Sequence, residues 1–488
     1  MADRPRLARP VTGAGGVSGV ALTVGAALGL GIGTALGWGV VALAAVGLAW
    51  LYWFIGVRWQ RGFYGLLIYL PFAGVVTLAL YPWPAPLLFK DVLFVVPAYV
   101  GFLVALARGP HALRGLPRVP SSLLVALGVL ALVQMVNPGV ENLLMALIGL
   151  KVWTLYLPLF VLAFVVVSTE EEVFRLFRLL AALSLIPCAI GIIEVVLVQV
   201  SGYEATMEAL YGEAAANATQ RFAAFDIEGG VLARIPSTFT FGTQYFGYTI
   251  AMIAPCYAVW RRDSSWRWRQ LGGVALTAVS IASLLSGARA AFVFVPLLLA
   301  LTFGLERGFA GLARSGVYAV GIIGLALAVL GIGGGALYSH VSELAGGYAT
   351  DIAYGGLVQA ITSAPLGTGT GTNTGPARYA FADPQAFTAI ENYYAKVVYE
   401  LGLEGLVVVV GLWASLIVIG GRIHRRLRGR PLRSCSAALL AFVILIAVTN
   451  VKGWLVDLDP LNVYVWVFAG VLMKLGVFEA RSSPAEVG

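Results

Sequence analysis

The residues of this 488-residue chain best suited to chemistry are Arg289, Glu391 and a glycine-threonine run at 365–375. Arg289 stands in LLSGARAAFVFV, a short connection between two apolar stretches. An uncompensated guanidinium there is costly, and its planar fork suits a phosphate or a carboxylate. Glu391 and Asn392 open ENYYAKVVYELGLEGL, which leads straight into an apolar stretch. A carboxylate at a helix start either complements the helix dipole or serves as a general base that takes a proton from a hydroxyl. His340 is a second candidate for that base. In PLGTGTGTNTG, Gly367, Gly369 and Gly371 alternate with threonine, a pattern that lets backbone N–H groups approach a ligand closely. No Lys-Ser/Thr follows the glycines, so the run is not a nucleotide-binding loop.

These residues must be held by a membrane protein. Hydrophobic residues make up 59% of the chain and charged residues 11%, against about 25% charged in soluble domains. Cys188, Cys256 and Cys435 are scattered among apolar stretches without metal spacing and read as small core residues. The basic N-terminus precedes an apolar stretch too long for a signal-peptide core, so 1–17 reads as a retained cytoplasmic tail. A crossing takes about 20 apolar residues. Fourteen spans are therefore expected, at 18–36, 38–57, 62–81, 89–107, 121–137, 142–167, 176–200, 239–260, 271–286, 289–305, 315–335, 393–420, 435–451 and 461–478. The expected fold class is all-α, a polytopic transmembrane helical bundle. It forms a single membrane domain over 18–478, with outer loops at 201–237 and 335–392 and a cytoplasmic tail at 479–488.

With that span count every basic cluster falls on one side. Of the 32 Lys and Arg, only Lys90, Lys151, Arg221, Arg234, Arg289, Arg378, Lys396 and Lys452 lie elsewhere. By the positive-inside rule both termini are then cytoplasmic. The net charge of +8 is a topology signal with some attraction to anionic lipid, and no nucleic-acid motif accompanies it. Cytoplasmic loops are short, so chemistry is expected on the outer side. Charges within spans mark function by default, and Lys151, Glu194, Arg289 and Glu400 all fall in the outer half of theirs. Lys151 and Glu194 suit either an ion pair on adjacent helices or a site, and Lys90-Asp91 suit snorkelling interface anchors. A polar pocket opening outward is expected.

Four segments, in order along 230–415, resemble the O-antigen ligase and O-antigen polymerase superfamily of bacterial membrane glycosyltransferases. ARIPSTFTFGTQYFGY resembles the family's Arg-x-x-Ser/Gly-Thr-Phe segment before a span. SGARAAFVFVPLLLAL resembles its Ser-x-Arg-Ala-Ala helix start, and ITSAPLGTGTG its Pro-Leu-x-Gly-x-Gly loop. ENYYAKVVYELGLEGLVVVV resembles its His-Asn-x-Tyr-Leu…Glu-x-Gly-x-x-Gly helix. Two positions depart from the pattern. Glu391 stands where the family carries histidine, and Thr350-Asp351 stand where it carries an arginine upstream of Pro-Leu.

The resemblance implies an inverting, metal-independent transfer of glycan carried on undecaprenyl pyrophosphate, at the outer face of the bacterial cytoplasmic membrane. No cofactor is expected beyond that lipid-linked donor. Without a metal, cations must stabilise the departing charge. Arg289 matches the family's pyrophosphate arginine, Arg378 or Arg234 would supply a second cation, and Glu391 would be the base. Lys151, Asn392, Tyr393, Gly367, Gly369 and Gly371 complete the expected substrate-binding set. The partners implied are membrane lipid, a flippase and a chain-length co-polymerase. The preferred reading is a polymerase of lipid-linked repeat units. The alternatives are a ligase passing glycan to an acceptor, and a lipid-linked oligosaccharide flippase. A flippase should carry its functional charges near the midplane between two repeats, and the chain shows no internal repeat.

Overall fold

The structure, a computed structural model, describes residues 39–213, 216, 224–227, 230–335, 338–339, 342, 354–375 and 390–482. The expected span at 18–36, His340, Arg221 and Arg378 lie outside the described residues. The chain divides into two compact units. One comprises Met1–Tyr69 with Ala85–Ala112, the other Leu70–Pro84 with Leu113–Gly488.

The described part of the smaller unit is helical: α1 (Gly39–Val57), α2 (Gln60–Tyr69), a π-turn at Asp91–Val95 and α3 (Val96–Arg108). Trp59 meets Phe102 edge-on at 5.0 Å. Arg61 donates to the Phe54 carbonyl at 2.9 Å and lies over its ring. Lys90 and Asp91 are not snorkelling anchors. Both are buried and face each other at 3.7 Å, because charges withdrawn from water need a partner.

The larger unit holds α4 (Arg118–Gln134), α5 (Leu143–Thr154), α6 (Leu159–Val166), α7 (Glu170–Ser201) and α8 (Tyr203–Tyr211). A short antiparallel hairpin follows, β1 (Ala224–Ile227) with β2 (Gly230–Ala233), in which Ala224 pairs with Ala233. Then come α9 (Gly242–Arg262), α10 (Trp266–Leu285), α11 (Ala291–Arg307) and α12 (Phe309–Leu330). The last elements are α13 (Gly356–Ser363), α14 (Tyr393–Arg426), α15 (Arg430–Thr449) and α16 (Leu461–Ser482). Thr169 starts α7 by accepting the Glu172 N–H at 3.2 Å, while the Glu172 carboxylate accepts the Ser168 N–H at 2.6 Å. Among the described residues the regular structure is thus helical but for one hairpin, which lies in the expected outer loop 201–237.

Among the described residues, eight helices are long and apolar enough to cross a membrane. They are Gln60–Ala79, Pro86–Arg108, Leu143–Val166, Glu170–Ser201, Phe309–Leu330, Tyr393–Arg426, Arg430–Thr449 and Leu461–Phe478. The expected spans at 239–260, 271–286 and 289–305 appear as α9, α10 and α11, which are not among these eight. The reason for α9 is its place in the core. It packs against α7, α10, α15 and α16, and Tyr245, Tyr248 and Tyr257 on it are fully buried. A helix sheathed by other helices needs no lipid-facing apolar surface, so its sequence reads as more polar than a span.

One backbone contact fixes the approach of the hairpin to the helices. The Ile235 N–H donates to the Ser286 carbonyl at 3.3 Å. At Gly287, φ is +76°, and a Cβ there would lie 2.2 Å from the Ala233 carbonyl oxygen. Only glycine permits both the conformation and the approach. Gly287→Ala is expected to lose about 1–2 kcal/mol from the left-handed backbone alone, with the Ala233 clash added. Scanning fluorimetry in detergent should register a lowered melting temperature, and an unchanged one would remove this contact from the account.

Candidate functional site

A cavity of about 310 Å³ opens at one end of the larger unit's helices. Three cations, Arg234, Arg289 and Lys452, line it together with the carboxylate of Glu391. Phe246, Phe294, Leu455 and Leu458 form its apolar wall, with the two phenyl centroids 6.0 Å apart. Each charged residue arrives from a different element. Arg234 follows β2 directly, and a Cβ on Gly242 would lie 3.0 Å from its Cβ. Arg289 occupies the turn between α10 and α11. Glu391 precedes Asn392, the residue that caps α14. Lys452 lies just past the end of α15.

Helix polarity gives the cavity a further positive bias. Gly242 and Thr243 open α9, Ala290 caps α11 and Glu391 stands beside the start of α14; all line the cavity. Three helix N-termini thus converge, each carrying a partial positive charge of about half a unit. The C-terminal ends of α10 and α15 reach the same cavity at Ser286 and Thr449 and partly offset them. Three cations against one carboxylate leave the net sign positive. This arrangement suits an anion with an apolar or ring-bearing portion beside it.

The cations strain against one another. Burial lowers the guanidinium pKa of Arg234, Arg289 lowers it further, and Glu391 opposes them. Burial likewise lowers the Lys452 amine, Arg289 and Arg234 add to the effect, and Glu391 works against it. Arg234 is half-buried, so lost water and its neighbours both disfavour its charge, whereas Lys452 is exposed by surface area and only partly screened from water where it lines the cavity. Among the described residues no group of three or more His, Cys, Asp or Glu is gathered that could hold a metal ion.

Of the described residues singled out in sequence, Arg289, Arg234 and Glu391 meet in this cavity, and Lys151, Glu194, Asn392, Tyr393, Glu400 and the glycine-threonine loop are not among its lining. The glycine-threonine loop serves the protein's own carboxylate. Glu400, fully buried on α14, accepts from the Asn373 N–H at 2.7 Å and the Gly371 N–H at 3.3 Å. It also accepts from the Thr374 hydroxyl at 3.0 Å and the Trp153 indole at 2.6 Å. Gly367, Gly369 and Gly371 all have positive φ, which turns these N–H groups inward on Glu400 where a ligand was expected. The loop also completes a broken helix. Gly402, with φ 77° and ψ −176°, interrupts α14. The Leu403 N–H donates to the Pro365 carbonyl at 2.9 Å, and the Thr368 and Gly369 N–H groups donate to the carbonyls of Tyr399 and Glu400 at 2.8 and 3.2 Å.

Asn392 is a cap. Its side-chain oxygen accepts the Tyr394 and Ala395 N–H groups at 2.8 and 3.3 Å. Tyr393 is buried, donates its N–H to the Asn450 carbonyl at 2.9 Å and packs on Trp153 at 5.9 Å. Lys151 sits on α5, one turn from Thr154, and does not line the cavity. Glu194 anchors the segment after the hairpin, holding the Tyr211 hydroxyl and accepting the Ser237 N–H at 2.7 Å. Lys452 was not singled out in sequence. Its signal was the same as that of Arg289, a cation in a short turn between two apolar helices. Compared with protein-family models and with curated proteins, the chain matches none.

The depressed Lys452 amine has a testable signature. Below its folded pKa it is protonated in both folded and unfolded chains, and the cost of burial together with the repulsion weighs on the fold in full. As the pH climbs from that value towards the ordinary 10.5, the unfolded chain binds the extra proton and stability rises. Lys452→Met removes this contribution. The melting-temperature difference, wild type minus variant, should therefore be negative near neutral pH and shrink as the pH rises towards 10.5. A flat difference would show that neither burial nor the neighbouring guanidinium groups depress this amine.

Proposed function

We propose that this protein is a membrane glycosyltransferase that polymerises undecaprenyl-pyrophosphate-linked oligosaccharide repeat units into an exopolysaccharide, capsule or O-antigen at the outer face of a bacterial cytoplasmic membrane. The observation that carries the reading is the convergence of Arg234, Arg289 and Lys452 around Glu391 in one cavity with an apolar wall. In this reading the lipid pyrophosphate binds the three cations and the N-terminal ends of α9, α11 and α14. Glu391 takes the proton of an acceptor hydroxyl as its oxygen attacks the anomeric carbon. The bond from that carbon to the pyrophosphate oxygen breaks with inversion, its electron pair stays on that oxygen, and the cations stabilise the added negative charge of the departing lipid pyrophosphate. Phe246 and Phe294 offer faces to a sugar ring or a prenyl chain.

Charge polarity supports the outward orientation. The helices that meet at the cavity carry arginines at their other ends: Arg261 and Arg262 on α9, Arg267 and Arg269 on α10, Arg307 on α11. Arg425 and Arg426 on α14 and Arg430 and Arg433 on α15 follow the same rule. The positive-inside rule makes those ends cytoplasmic. The reading also carries about fourteen spans with both termini inside, at about 20 residues each. Lipid, a flippase and a chain-length co-polymerase are its partners.

Incubating the purified protein with lipid-linked repeat units tests the reaction. A ladder of products on a gel is expected. A single shifted acceptor would mean a ligase instead, and no covalent product would favour transport. Arg289→Ala and Glu391→Gln should each lower transfer about 100-fold or more while leaving membrane insertion intact. Wild-type polymer length in both variants would sink the site assignment.

A further inference from the structure

Lys452 belongs to a segment that joins α15 to α16, and two contacts hold that segment to the start of α14. The Asn450 carbonyl accepts the Tyr393 N–H at 2.9 Å. The Glu391 carbonyl lies 3.8 Å from where a Cβ on Gly453 would stand. The second contact is an ion pair between Asp457 and Lys396. Lys396 is fully buried on α14, one turn past the Asn392 cap, and its ammonium lies 4.8 Å from the Trp153 ring centroid. Trp153 in turn donates to Glu400, the carboxylate at the centre of the glycine-threonine loop. Asp457 sits in a turn of 3-10 helix, Leu455–Asp457, with its N–H donated to the Trp454 carbonyl at 2.9 Å. Leu455 and Leu458, on either side of it, line the cavity that Lys452 lines.

We propose that the buried Lys396–Asp457 pair is a positioning device for Lys452, setting the reach of the cavity's third cation towards a bound pyrophosphate. The inference rests on the anion-binding half of the proposed function. The reason lies in the neighbours. Lys452 faces Arg289 and Arg234, which repel it, and Glu391, which attracts it. Lys452 is exposed at the cavity's edge, so on a flexible segment its ammonium would swing away from the two guanidinium groups. A segment tied down five residues later by an ion pair under the cavity cannot retreat so far. The pair is also deep enough that removing one partner would strand a buried charge, whereas replacing both with apolar groups is tolerated in many proteins. That difference supplies the clean test.

The experiment uses full-length protein in detergent and measures sodium pyrophosphate binding by calorimetry, with melting temperature as the check on folding. The double variant Lys396→Met/Asp457→Leu is expected to melt near wild type yet bind pyrophosphate at least about tenfold more weakly, as for loss of one charge-assisted contact. Lys452→Met in the wild-type background should give a similar loss, and in the double-variant background almost no further loss. Asp457→Glu, which keeps the charge, should retain most of the affinity. Wild-type affinity in the double variant, or an undiminished effect of Lys452→Met within it, overturns the inference, as does a wild type that binds no pyrophosphate. If binding and coupling are both present but no glycan is transferred, the positioning role stands and the glycosyltransferase reading fails.

Discussion

A single buried carboxylate organises the functional half of this protein. Glu400 lies on a helix apolar enough to span a membrane, where an unsatisfied charge is prohibitive. Its oxygens accept from two backbone N–H groups, a hydroxyl and an indole, drawn from the glycine-threonine loop and from α5. Once those bonds form, the loop has one position, and so does the first part of α14. The Trp153 ring that serves Glu400 also receives Lys396, and Lys396 holds Asp457. A chain of four side chains therefore runs from the loop to the rim of the cavity. Each member would be costly alone, and each is made acceptable by the next.

The cavity is built on the opposite principle. Its cations are brought together although they repel, and the scaffold holds them through backbone contacts set away from the charges themselves. Arg234 is placed by the hairpin's approach to Gly287, Arg289 by a tight turn between two helices, and Lys452 by a tethered segment. Sites of this kind are less stable than a neutral wall would be, and a bound anion restores the balance. The surplus of positive charge is a reason to expect an anion there, and the aromatic wall beside it is a reason to expect more than an inorganic one.

The sequence exposed some of this and concealed the rest for physical reasons. Arg289 was legible because an arginine in a short turn between apolar helices has no structural excuse. Lys452 met the same test but sat in an unremarked turn, and only the fold shows that the turn folds back on Glu391. The glycine-threonine loop was legible as a nest but not as an occupied one. Its anion is a side chain close by in space and some thirty positions along the chain, a pairing that no local pattern encodes. The stretch 239–260 was legible as a helix, but not its sheathing by α7, α10, α15 and α16, because which helices surround it is set by packing between distant segments. Arg378 and His340 lie outside the described residues, so their expected roles are neither placed nor displaced.

The break at Gly402 makes α14 two rods in series. The longer rod, beyond the break, is the one whose apolar surface must match the bilayer, and a change in membrane thickness is accommodated by tilting such a rod. The shorter rod carries Lys396 and Glu400 and begins beside Glu391, and the loop clasps it through the bonds the break releases. A tilt of the long rod is therefore absorbed at the joint that Gly402 makes. The cavity is thereby mechanically insulated from the surrounding lipid.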